Sequence, residues 1–235
     1  MARVKNKQAR DMWLQKTLRD IPGGESLIDI GAGECDNAPL CEHLDYTSQD
    51  IAEYDGAGNS KGLHTKKWNF KKIDLICDLY EIPEDRSWDN VLCSEVLEHV
   101  VDPVRAIQKM ARIVSPGGRI VITAPFNSLT HFAPYHFCTG FSEYFYRHHF
   151  SELGFEIEKI EPNGGFFDFM DQEIGRSTRI PGKYSRIPID PISFVFFQLA
   201  RMSARLYARL DGPRNARRSS ELQTFGFHVV ARRPQ

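Results

Sequence analysis

The stretch Ser26 to Asn37, SLIDIGAGECDN, constrains this chain more than any other. Leu27, Ile28 and Ile30 make an apolar run with one charge, Asp29, and the run ends in Gly31-Ala32-Gly33. A continuous apolar run bounded by glycine reads as a buried parallel strand entering a tight turn. Glycine at 31 and 33 admits positive φ and close approach of the backbone to a ligand. A strand that turns through glycines into a helix is an element that cradles nucleotides. The dinucleotide fingerprint asks for a third glycine, and here Glu34, Cys35 and Asp36 follow Gly33. A plain strand-to-helix turn is the competing reading of this stretch alone.

The rest of the chain supplies the context. Its 235 residues suffice for one large domain, or a domain with an insertion, that buries roughly 70% of its unfolded surface. Thirty basic and 31 acidic residues nearly cancel, so no global charge argues for nucleic acid or a membrane. Five cysteines (35, 41, 77, 93 and 138) show no C-x-x-C spacing. Buried free thiols are expected, which favours a reducing cytoplasm. Residues 1–5 are polar and basic with no apolar core behind them, so no signal peptide is expected. No uncharged apolar run reaches 18 residues, so no membrane span is expected.

In chain order, residues 7–20 suit an amphipathic helix carrying Trp13, Leu14 and Leu18, ended by Pro22-Gly23-Gly24. Residues 38–44 should continue as a helix after the glycine turn. Tyr46 to Ile51 reads as a strand ending at Asp50. An acid about twenty residues past the glycines is placed to meet ribose hydroxyls, because a carboxylate accepts two hydrogen bonds from a cis-diol. Residues 61–72 are basic with Trp68 and Phe70 interleaved; a solvated edge is expected there, and no nucleic-acid module accompanies it. Strands are predicted over 73–79, 88–94, 119–124, 155–161 and 225–231. Asp102-Pro103 starts a helix whose apolar positions run from Val104 to Val114. Strand and helix in this alternation mean a parallel sheet with right-handed crossovers.

By this point the sequence resembles the class I S-adenosylmethionine-dependent methyltransferases. The resemblance is carried by LIDIGAG (27–33), the Asp50 strand end, CDLYEIP (77–83), WDNVLCSEVLEHV (88–100) and VSPGGRIVITAP (114–125). It is similar to the subgroup acting on small molecules or glycan building blocks. The resemblance implies an α/β, Rossmann-like, seven-stranded, mostly parallel sheet with helices on both faces and an antiparallel hairpin of the last two strands. It implies S-adenosyl-L-methionine as cofactor. Gly31, Ala32 and Gly33 would carry its methionine part, and Asp29 would help hold the amino group. Asp50 with Ile51 would take the ribose, Asp78 and Leu79 the adenine, and Ser94 and Glu95 the side near the sulfonium. Cys35 stands where many relatives have a third glycine, and a small thiol is read as tolerated. Three carboxylates suit a cationic ligand and would repel a pyrophosphate, which argues against a nicotinamide-dependent dehydrogenase.

Methyl transfer from a sulfonium needs acceptor, methyl carbon and sulfur in line, and a hydroxyl acceptor can need a base. His131, Tyr135 and His136, in the loop after the fifth strand, are candidates, together with His99 on the EVLEH turn. Phe141, Phe145 and Phe150 are expected in the core of a helix ending near Leu153-Gly154. His148 and His149 are adjacent and expected at the surface, and no metal site is expected.

Residues 1–235 are read as one domain: an N-terminal helix (1–22), a cofactor-binding core (23–161), a helical insertion or lid (162–224) and a last strand (225–235). Within the insertion, Asp190-Pro191 caps a long helix to about Leu210. Ile192, Phe196, Leu199, Leu206 and Leu210 share one face, and Arg201, Arg205 and Arg209 the other. A lid, a homodimer contact and peripheral membrane contact through 191–218 are its three readings, with Arg214, Arg217 and Arg218 extending the basic patch. The expected partner is a small-molecule or glycan-type acceptor, with no nucleic acid.

Overall fold

A computed structural model describes residues 5–63, 68–213 and 217–235. Seven strands form one sheet in the order β3-β2-β1-β4-β5-β7-β6. They are β1 (Ser26–Ile30), β2 (Asp45–Asp50), β3 (Leu75–Ile76), β4 (Trp88–Ser94), β5 (Val114–Pro125), β6 (Glu156–Pro162) and β7 (Gly226–Arg232). β1 lies parallel to β2 and β4, β2 to β3, and β4 to β5, whereas β7 runs antiparallel to β5.

The pleat sorts the strand side chains onto two faces. Ile28 and Ile30, Val91 and Cys93, Ile120 and Ile122, and Val229 and Ala231 share one buried cluster. That cluster includes Ala106, Ile107 and Met110 of α2 (Pro103–Ile113) and Tyr146 and Phe150 of α3 (Glu143–Glu152). Their neighbours Leu27, Leu92, Val121 and Val230 face the other way and bury Leu14 and Leu18 of α1 (Asn6–Arg19). Asp102 caps α2 by accepting from Arg105 N, with Pro103 as its first residue, as the sequence pattern predicts.

Three elements differ from the sequence reading, one of them β5, which begins at Val114 and not at Arg119. Residues 38–44 hold only a single 3₁₀ turn, Ala38–Leu40. Its hydrogen bonds run from residue i+3 back to i, as in Cys41 N to Ala38 O; Pro39 has no N–H to give, and β2 begins at Asp45, leaving no room for a longer helix. The predicted strand over 73–79 pairs only at Leu75–Ile76; Asp78 turns the chain into a 3₁₀ segment, Leu79–Glu81.

The described residues form two compact units: Arg10–Glu161 with Gly226–Gln235, and Pro162–Phe225 with residues 5–9. The second unit holds α4 (Phe166–Ser177), α5 (Ile180–Tyr184) and α6 (Pro191–Leu210). In it α4 packs on α6, and the contact face of α6 is not the apolar one. Ala204 and Ala208 are its buried residues, and Arg201 and Arg205 both bond Asp171 of α4 at 3.0 Å. Ile192, Phe196, Leu199, Leu206 and Leu210 are exposed, up to 72% for Leu210. The reason is electrostatic: a buried aspartate holds the two arginines inward, so the aliphatic stripe turns out. Arg217 is buried on Asp168, and Arg214 lies outside the described residues. Among the described residues no helix is long and apolar enough to cross a membrane.

Candidate active site

The strand order reverses between β1 and β4, and ligands of open α/β sheets bind at the carboxyl ends of strands flanking such a point. A cavity of about 250 Å³ lies there. Of the residues predicted to hold cofactor, Gly31, Asp50, Ile51, Asp78, Leu79 and Glu95 line it. The glycine bend is required by its surroundings. Gly31 has φ +66°, and a Cβ there would stand 2.4 Å from Val96 Cγ2; Gly33 has φ +58°, and its Cβ would stand 2.5 Å from Trp68 Cζ3.

Asp50 ends β2 and ties this end together. Its Oδ2 accepts from Gly33 N at 2.9 Å and its Oδ1 from Ala52 N at 2.7 Å. Each oxygen keeps a further lone pair for a ligand. Asp78 caps the Leu79–Glu81 turn by accepting from Tyr80 N at 2.9 Å. Gln49, which lines the cavity, donates to Cys77 O at 2.7 Å, and its Oε1 is buried without a partner.

Asp29, Ala32, Gly33 and Ser94 are not among the lining residues. The pleat points Asp29 to the α1 face of the sheet, where its Oδ2 accepts from Tyr46 Oη at 2.7 Å and Asn37 Nδ2 at 3.2 Å. Burial pushes its carboxyl up to about 6, against those hydrogen bonds. Ser94 Oγ lies 2.9 Å from Thr123 Oγ1, which donates to Glu95 Oε1 at 3.2 Å. Arg10 forms an ion pair with the other Glu95 oxygen.

Much of the remaining wall is aromatic, running from Trp68 against the glycine bend to Phe132 beside His99. Tyr54 stacks on Phe132 with centroids 4.4 Å apart, and Trp68 meets both edge-on. Trp68 and Phe70 therefore belong to the cavity wall, not to a solvated edge; residues 64–67 of that basic stretch lie outside the described residues. His99 and Tyr135 line the cavity, and His131 and His136 sit behind them. Tyr135 Oη donates to Glu53 at 2.9 Å, and that carboxylate pushes the phenol above its ordinary range.

The three imidazoles converge, with one nitrogen of each lying within 4.8 Å of the others. His99 Nδ1 meets Tyr135 O at 2.5 Å, and His131 Nδ1 meets Leu129 O at 2.8 Å. A carbonyl only accepts, so Nδ1 carries the proton in both rings and Nε2 is a bare lone pair. Glu98, fully buried, presents its Oε1 at 3.7 Å from His99 Nε2 and 3.8 Å from His131 Nε2. Burial pushes His99 down to about 3, and burial followed by the Glu95 charge pushes Glu98 well above the usual carboxylate range. The remaining predictions on this segment concern packing: Phe141 and Phe150 are buried, Phe145 is half-buried and His148 is exposed.

Sequence reasoning missed Gln49, Tyr54, Tyr80, Val96, Val100, Val101, Phe132 and Phe137 among the lining residues. Only Gln49 carried a signal, as the neighbour of Asp50 at a strand end.

A family described as a methyltransferase domain matches residues 6–160. A ubiquinone biosynthesis O-methyltransferase of Alkalilimnicola ehrlichii is 42% identical over 110 residues, covering 43% of this chain and 41% of that protein. The chain spans less than half the length of the curated relatives first matched. Among solved structures, a SAM-dependent methyltransferase from Archaeoglobus fulgidus superposes with TM-score 0.55 at 17% identity, covering 97% of this chain and 95% of that one. The cyclase SpnF gives 0.54 at 18% identity, covering 99% and 83%. At these identities the structural likeness speaks for the fold alone.

Proposed function

The chain belongs to the methyltransferase-domain family of class I type, and from that premise we propose that it methylates a hydroxyl oxygen of a small molecule, sugar or glycan precursor with S-adenosylmethionine. The observation that carries this reading is the carboxylate-lined cavity at the strand-order reversal. Asp50, Asp78 and Glu95 line it, with Gln49 beside them. These groups fit a ligand bearing an ammonium, a sulfonium, a diol and an amino group. When bound, that cofactor supplies a methyl group on a cationic sulfur.

The chain's own residues do the rest. Asp50 would accept from the ribose hydroxyls while holding the glycine bend through Gly33 N. Asp78 would accept from the adenine amino group, and Leu79 would supply an apolar wall. Glu95, beside Ser94 and anchored by Thr123 and Arg10, would set the potential near the sulfonium. Gly31 and Ala32 leave the strand end open to the methionine part. Asp29, turned to the other face, would support the bend through Asn37 and not by contact. The apolar wall of Val100, Val101 and Phe132 excludes water from the acceptor end. Passage of the methyl from sulfur to oxygen would also require the acceptor hydroxyl to lose its proton, and His99 lines the cavity with His131 and His136 behind it. Tyr135, held by Glu53, stays protonated and serves as a wall. The names of the relatives support an oxygen acceptor.

The test is two-fold. Calorimetry should show saturable binding of S-adenosylmethionine, and radiolabelled methyl groups should appear on a hydroxyl compound from a panel of phenols and sugars. Binding without transfer to any compound would favour a module that holds the cofactor without turnover, and absence of binding would end the reading.

A further inference from the structure

Glu98, His99, His131 and His136 form a cluster whose chemistry is not closed by the protein. Both Glu98 oxygens and both His136 ring nitrogens are buried without hydrogen-bond partners. Burying such an atom without a hydrogen bond is costly, and four in one place call for a cause. Hydrogen bonding within the cluster does not supply it. The Glu98-to-imidazole separations of 3.7 and 3.8 Å exceed hydrogen-bond range.

We propose that Glu98, His99, His131 and His136 bind a divalent first-row transition-metal ion at the acceptor end of the cavity. Four donors about 2.1 Å from one tetrahedral ion stand about 3.4 Å apart. The two Glu98 separations lie within a few tenths of an ångström of that, and the imidazole nitrogens need a modest closure from their 4.8 Å bound. The ring tautomers are already set for ligation. His99 and His131 each anchor Nδ1 on a backbone carbonyl, which is how metal-bound imidazoles are commonly held, and each turns a bare Nε2 toward Glu98. Three nitrogens and one oxygen suit Zn²⁺, Co²⁺, Ni²⁺ or Fe²⁺ better than Mg²⁺ or Ca²⁺, which favour oxygen donors. Local sequence gives the site no spacing signature. Glu98 and His99 come from the 3₁₀ turn Leu97–His99 after β4. His131 and His136 come from the loop after β5, which is tied to that turn by Phe137 N donating to Glu98 O at 2.9 Å.

Because His99 lines the cavity, the ion would stand beside an acceptor oxygen and favour its ionised form. That role rests on the methyl-transfer reading; binding of the ion does not. The experiment therefore reads binding. The full chain, freed of metal with a chelator, is titrated with Co²⁺ and followed by visible d–d absorption. Expected is a saturating spectrum at one equivalent, bleached by Zn²⁺, and weakened by about tenfold or more in His131→Ala, His136→Ala and Glu98→Gln. Calorimetry with S-adenosylmethionine on the same metal-free protein reports separately whether the cofactor half is sound. A wild-type titration indistinguishable from free Co²⁺ would overturn the proposal whatever the variants do. So would an unchanged spectrum in folded His131→Ala and His136→Ala proteins.

Discussion

The two ends of the cavity differ in how their polar atoms are spent. At the carboxyl ends of β2, β3 and β4 the carboxylates are scaffold as well as site. Asp50 holds two backbone N–H groups, Asp78 caps a turn and Glu95 holds Arg10 and Thr123. At the imidazole end, Glu98 and His136 hold nothing. Partnered groups preorganise a surface without needing a ligand, whereas buried groups without partners raise the free energy until a ligand meets them. The same kind of substitution should therefore have opposite signs at the two ends.

The largest effect belongs to Asp50. Asp50→Ala removes the ribose acceptor and the anchor of Gly33, so cofactor affinity measured by calorimetry should fall about 100-fold or more, at roughly 1.5–3 kcal/mol per charge-assisted hydrogen bond. Undiminished affinity removes Asp50 from that role. Next comes Gly31→Ala. The new Cβ meets Val96 Cγ2 at 2.4 Å with φ +66°, and overpacking plus left-handed strain should lower the unfolding free energy by about 3 kcal/mol. Adding Val96→Ala should recover the packing part only; full recovery, or none, would show that the clash is misread.

Glu98→Leu tests the other sign. In chelated protein it removes a buried carboxyl with no partner, so denaturant unfolding should show a gain of about 1–3 kcal/mol. A loss of that size would mean Glu98 is satisfied by the metal-free protein, and the contrast between the two ends would break. A pH test sharpens the background. Burial pushes His228 down to about 3, where it stacks on Trp13. Its folded value lies below the unfolded 6.5, so its contribution is complete above pH 6.5 and is lost as pH falls toward 3. Between pH 6.5 and 4.5 that is about 2–3 kcal/mol. His228→Gln should flatten the acid limb of stability by that amount, and an unchanged limb would assign the slope to other groups. The smallest effect is at Cys35, which takes φ +61°. Cys35→Gly should be neutral or stabilising by up to about 1 kcal/mol in thermal unfolding; a marked loss would show that the thiol, which donates to Lys72 O, is needed.

Much of the scaffold was legible because its signals are local. The run at 27–30, the strand at 88–94 and the Asp102-Pro103 start all appear where periodicity and capping put them. Cys35 shows the same logic from another side. The position where the family resemblance implies a third glycine has the left-handed backbone that glycine favours, although the residue is not glycine. Asp29 was harder. Its position in a motif suggested ligand contact, but the two-residue pleat of β1 assigns it to the face opposite Ile28 and Ile30. The apolar stripe of α6 was legible as a stripe. Which side it faced was not, because Asp171, about thirty residues away in the chain, captures Arg201 and Arg205.

By itself the sequence determined the strands, the glycine bend and the acids at the strand ends, since each depends on neighbours within a few residues. Tertiary structure alone decided that a buried glutamate and three half-buried histidines from two separate loops meet at one place. Parallel strands deliver their following loops to a common edge, so residues more than thirty positions apart meet there with no trace in local spacing.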